Sequence, residues 1–76
     1  MDIENLIRMA NRIGDFFEAM PDSEEALAGI AAHIRRFWEP RMRRELLVHI
    51  EQHPEDANLK PIVRKALMAQ RLDLLA

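Results

Sequence analysis

The stretch HIRRFWEPRMRRE, His33 to Glu45, decides how this chain folds. Five arginines fall within ten positions (35–44), two large aromatics, Phe37 and Trp38, sit among them, and Pro40 interrupts the run. A proline pushes the residue before it out of the helical region and is itself well placed at the first position of a helix. One helix therefore ends before Glu39 and another begins near Arg41.

Working outward, helical periodicity fits almost everywhere. There are only 2 glycines and no tyrosine, and no period-two alternation lasts long enough for a strand. Four short helices follow. The first spans about Ile3 to Ala19, with apolar side chains over an arc of roughly 180°, wider than the ~100° a core stripe needs. Leu6, Ala10, Ile13 and Phe17 mark its centre, while Met9 and Phe16 form a surplus shoulder. Gly14, beside the apolar face, leaves room for another helix to approach. The second runs from Asp22, an N-cap with Glu25 three residues on in the manner of a capping box, to about Phe37. It buries Leu27, Ile30, Ala31, Ile34 and either Trp38 or Phe37, and Ala28, Gly29 and Ala32 offer small residues to a close neighbour. The third, about Arg41 to His53, has a thin stripe of Met42, Leu46, Leu47 and Ile50. After the loop PEDAN, Asn58 is a candidate cap for a fourth helix with Pro61 in its first turn and Ile62, Val63, Ala66, Leu67 and Leu74 inward. The expectation is an all-α fold: a single helical domain, residues 1–76, built as a small bundle of about four short helices with a proline break between the second and third.

A chain of 76 residues buries only about 60% of the surface its unfolded form exposes. Without cysteine, disulfides, iron–sulfur clusters and thiolate zinc sites are excluded. No signal peptide is visible at the start, and no apolar run approaches the ~20 residues of a membrane span, so a cytoplasmic protein with no membrane partner is expected. The net charge of −2 is segmented. Residues 1–34 carry −5, 35–44 carry +4, 45–58 carry −4 and 59–76 carry +3, a pattern that guides association rather than folding.

Chemistry-bearing motifs are sparse. His49 and His53 share a helix face in HIEQH, but the metalloprotease pattern needs a glutamate directly after the first histidine. Glu51 instead points about 200° around the helix. His33 has no partner at metal-ligand spacing. Ser23 is the only serine and sits in a helix cap, and no glycine-rich phosphate loop occurs. No catalytic, cofactor-binding or metal residues are assigned, and the chain is expected not to be an enzyme.

The arginines ask for something anionic. Arg35 and Arg36 close a helix, where positive charge suits the dipole, but Arg41, Arg43 and Arg44 open one, where each exposed cation costs about 0.3–1 kcal/mol. Acids of the same chain, such as Asp2 and Glu4, could face the first pair. Nucleic acid would combine phosphate contacts with stacking on aromatics, yet the pI of 5.9 lacks the basic footprint such domains show. Arg, Trp and Met are enriched at protein interfaces and their hot spots. The expected partner-binding set is therefore Met9, Phe16, Arg36, Trp38, Pro40, Arg41, Arg43 and Arg44. The same apolar surplus allows the isolated chain to form a homo-oligomer.

The segments MANRIGDFFEAMPD (9–22) and GIAAHIRRFWEPRMRREL (29–46), with the core H-x-R-R-F-W-x-P-R-M-R from His33 to Arg43, resemble the delta subunit of soluble NAD-dependent, molybdenum-containing formate dehydrogenases. The resemblance spans nearly the whole chain and is weakest after Glu55. It implies an accessory polypeptide without a cofactor of its own in a cytoplasmic complex that oxidises formate with NAD+. Other subunits would hold a molybdenum or tungsten pterin, iron–sulfur clusters and FMN. The chain would dock on the catalytic alpha subunit and support assembly, stability or cofactor insertion, either as a permanent subunit or as a chaperone that leaves. A small nucleic-acid-binding domain using the Arg35–Arg44 cluster is the alternative.

Overall fold

A computed structural model of the chain describes residues 2–75. Helix α1 covers Ile3–Glu18, α2 Ser23–Phe37, α3 Pro40–Gln52, α4 Pro61–Ala69 and α5 Arg71–Leu75. Each start follows from local chemistry. The Asp2 carboxylate accepts the Glu4 N–H at 3.1 Å, and Asp22 accepts those of Glu24 and Glu25 at 2.9 and 3.2 Å, satisfying donors a helix start leaves without partners. Glu39 is extended (φ −66°, ψ 151°) and Pro40 opens α3, as the proline break requires.

Around one core, α1 packs on α2, α3 and α4, α2 on α4, and α5 closes over α3. Leu6, Ile30, Ile34, Leu46, Leu47, Val63 and Leu67 are its fully buried centre. The Cα radius of gyration, 11.1 Å, matches the ~11 Å of a compact chain this long. Small residues set two helix approaches. A Cβ built on Gly14 would stand 2.6 Å from Val63 Cγ2, so α4 lies directly against α1, and one on Gly29 would enter the Phe17 ring.

Three details depart from the sequence expectations. Asn58 is not a helix cap: α4 starts after Lys60, and the Asn58 N–H is donated to the Asp56 carboxylate at 2.9 Å. The loop is fixed from α1 instead. Asn11 donates from Nδ2 to the Asn58 carbonyl at 2.7 Å and accepts the Lys60 N–H at 2.9 Å. Leu59, unassigned in the sequence, is buried there. The fourth helix also stops at Gln70, with no glycine or proline to mark it, and resumes as α5, placing Leu74 in the core. The third is a tie that spacing alone did not suggest: His49 Nε2 meets Asp56 Oδ2 at 2.7 Å.

Candidate docking surface

The turn between α2 and α3 separates the two aromatics of the opening stretch. Phe37, the last residue of α2, is 65% exposed, whereas Trp38 is only 6% exposed. On a helical wheel both lie near the core side, one three and the other four residues beyond Ile34. Trp38, the C-cap, still donates its N–H to the Ile34 carbonyl at 2.9 Å, and its extended ψ (140°) turns the chain toward α3 so that the ring is enclosed in the core.

Of the expected partner-binding residues, Phe16, Arg36, Pro40, Arg41 and Arg44 are exposed and Met9 is half-buried against the core. Two are not presented to a partner. Trp38 belongs to the hydrophobic cluster, and Arg43 is 7% exposed and engaged within the chain, because its position in α3 places it beside Leu46, Leu47 and Ile50 on the inward side. Helix dipole reasoning located the arginines of α3 but not their orientation. The α3 wheel carries that signal.

Among the described residues, Lys60 takes Asp15 and Glu18 (2.8 and 3.3 Å), Arg71 takes Glu51, and His49 takes Asp56. No ion pair among them reaches Arg35, Arg36, Arg41 or Arg44, so Asp2 and Glu4 do not neutralise the end of α2. The pairs that do form shift their members. Hydrogen bonding to Asp15, then Glu18, pushes the Lys60 ammonium above its ordinary range. The bond from His49, then the Asn58 N–H, holds the Asp56 carboxyl below its own.

Two surfaces flank the turn. On the α1–α2 side, Phe16 and Phe17 meet edge to face with centroids 5.1 Å apart, Phe17 lies 6.5 Å from His33, and His33 lies 4.7 Å from Phe37. The Arg36 guanidinium stands 5.5 Å from the Phe37 centroid, within cation–π range. On the α3 side, an open groove of about 480 Å³ has Ile3 and Val48 among its apolar lining and Arg41 and Arg44 beside them. Neither surface has the donors of a metal centre: among the described residues no group of three or more His, Cys, Asp or Glu could hold a metal ion.

The family scan matches residues 5–67 to the family described as NADH-dependent formate dehydrogenase delta subunit. The chain belongs to that family. The match takes in most of α1, all of α2 and α3, the turn between them, and most of α4, so both surfaces, Ile3 excepted, lie on family sequence. As a delta subunit the chain is one part of a formate dehydrogenase. No helix of the described residues is long and apolar enough to cross a membrane. Searches of curated proteins and of solved structures return no match.

Proposed function

We propose that this delta chain is a non-catalytic accessory subunit that docks on the catalytic alpha subunit through the exposed residues around the Trp38–Glu39 turn, supporting assembly and stability of the complex in the cytoplasm. The observation that carries this reading is the set of exposed arginines, Arg36, Arg41 and Arg44, left outside every ion pair of the described residues. Arg41 stands in the first turn of α3, where the dipole opposes it by about 0.3–1 kcal/mol. Carboxylates on a partner would reverse that cost. Pro40 fixes the geometry of the turn, and Trp38 and Arg43, buried beneath, hold it in place. Met9 and Phe16 supply apolar contact.

The test is co-expression of the tagged chain with the catalytic subunit, followed by sizing. Stable co-elution at fixed stoichiometry is expected. In Arg41→Ala/Arg44→Ala, assembly should weaken while the free chain keeps its helicity and gains up to about 1 kcal/mol from relief of the dipole. Undiminished assembly of that variant would remove the turn from the interface. Presence of the chain in the mature, active enzyme separates a resident subunit from a chaperone of cofactor insertion. The nucleic-acid reading draws on Phe37 beside Arg36, and it requires affinity that falls steeply with salt.

A further inference from the structure

The α1–α2 hairpin leaves uncovered a face that the fold does not need. Phe16 is 73% exposed and Phe37 is exposed nearly as much. They are not isolated, because Phe17 and His33 link them in an unbroken series of ring contacts. A contiguous apolar patch with polar edges marks an interaction site, unlike single exposed hydrophobics. A cation accompanies each exposed ring, one by contact and one by helical spacing. Arg36 lies over Phe37, and Arg12, exposed, stands one helical turn before Phe16, where i and i+4 side chains are neighbours. Neither arginine enters an ion pair among the described residues. The acids of the same stretch of α1, Asp15 and Glu18, are drawn to Lys60, which precedes α4 against the Gly14 side of the helix.

We propose that this aromatic face is the surface that meets a larger subunit of the enzyme, and that its occupant is an apolar protein segment bearing carboxylates placed to reach Arg12 and Arg36. The inference deepens the docking reading above and rests on it. Charge complementarity selects the occupant. The two exposed rings are apolar, with His33 between them, and Arg12 and Arg36 at their edges do not form the continuous basic groove that tracks a polyanion's phosphates. A nucleic acid strand lying along α2 would also meet Glu24 and Glu25, which open that helix. A segment with apolar side chains at its centre and an acid toward each end matches both the rings and the arginines.

The experiment uses the full-length tagged chain co-expressed with the larger subunits of the enzyme, with sizing and quantification of what the tag captures. Two double variants are compared with wild type, Phe16→Ser/Phe37→Ser and Arg12→Glu/Arg36→Glu, with circular dichroism to confirm unchanged helicity. All four positions are exposed, so the fold is retained, and the charge variant tests the face without removing a ring. Each double variant is expected to lower capture at least tenfold. Capture equal to wild type in both overturns the inference. If only Arg41→Ala/Arg44→Ala loses capture, the docking reading survives and this face is not the contact. If wild type captures no subunit, both fall together. A dimer of the free chain that becomes monomeric in Phe16→Ser/Phe37→Ser while capture persists would assign the face to a second copy. Salt-sensitive binding of a labelled single-stranded oligonucleotide, lost in Arg12→Glu/Arg36→Glu while capture persists, would assign it to nucleic acid. Either outcome overturns the proposal.

Discussion

Alanine at position 38 and alanine at position 37 are expected to have very unequal effects, although the two rings are adjacent in sequence. Trp38 is buried among the core side chains, and its truncation removes a large ring from a packed site. Such Trp or Phe to Ala changes cost about 3–5 kcal/mol, and a core of this size supplies only about 3–5 kcal/mol in total. Trp38→Ala should therefore have no cooperative unfolding transition at 25 °C when followed by circular dichroism at 222 nm. Phe37 is mostly exposed on the last turn of α2, so Phe37→Ala should stay within about 0.5 kcal/mol of wild type. At about 4–8 °C per kcal/mol for a chain this small, its Tm should move by less than about 4 °C. Trp38, the only tryptophan, provides a second probe in that variant, and its fluorescence should stay that of a buried ring. A folded Trp38→Ala with a Tm near wild type, or a Phe37→Ala that unfolds, would refute the assignment of the two rings. It would also return Trp38 to the candidate surface.

Two further predictions concern the fold that presents that surface. Gly14→Ala should gain about 1 kcal/mol of helix propensity. Its Cβ would stand 2.6 Å from Val63 Cγ2, on a stiff, fully buried side chain, and overpacking costs about 1–3 kcal/mol. A net loss of about 1 kcal/mol is expected by urea denaturation, relieved in part in Gly14→Ala/Val63→Ala; a raised Tm in the single variant would show that α4 is not held so close. Asp56→Asn should destabilise the chain at neutral pH by weakening the tie to His49. A carboxyl held below its ordinary value of 3.8 contributes stability that is present above that value and lost as pH falls through its folded one. The gap between wild type and variant should thus narrow below about pH 4; a constant gap across an acid titration would rule out the paired carboxylate as its source.

Features written in one or two neighbouring residues were legible in the sequence. Pro40 placed the break, Asp22 placed a cap, and Gly14 announced a close approach, because each acts through its own backbone or missing side chain. Choices settled by packing were not. Phe37 and Trp38 are both compatible with the core side of α2. Packing of α3, which turns back at the cap, encloses Trp38 and leaves Phe37 outside. Arg43 looks from composition like its neighbours Arg41 and Arg44, yet the rotation of α3 buries it. The break at Gln70 has no local signal and reflects α5 packing against α3. Leu59 sat in a polar loop whose anchoring depends on Asn11, distant in sequence. The candidate surface was legible as a list of residue types around the turn. His33 and Phe37 join it only because α2 places them one turn apart, in line with Phe17 on α1.

The segmented charge pattern acquires a reason in the structure. Two basic residues of the C-terminal segment are spent inside the fold: Lys60 on Asp15 and Glu18, Arg71 on Glu51. These pairs tie the last third of the chain to α1 and α3. Within the arginine cluster only Arg43 is buried. The other four stay outward at the α2–α3 turn, and Arg41 among them opposes the dipole of its own helix. Exposed ion pairs are worth little to a free chain, so little stability would be lost if these positions were neutral. Their cost is small, and no ion pair among the described residues offsets it. If the proposed docking brings partner carboxylates to them, the turn should be more stable in the assembled enzyme than in the free chain. Protection of the α3 N-terminal amides from hydrogen exchange in the complex, beyond that of the free chain, would follow from that difference.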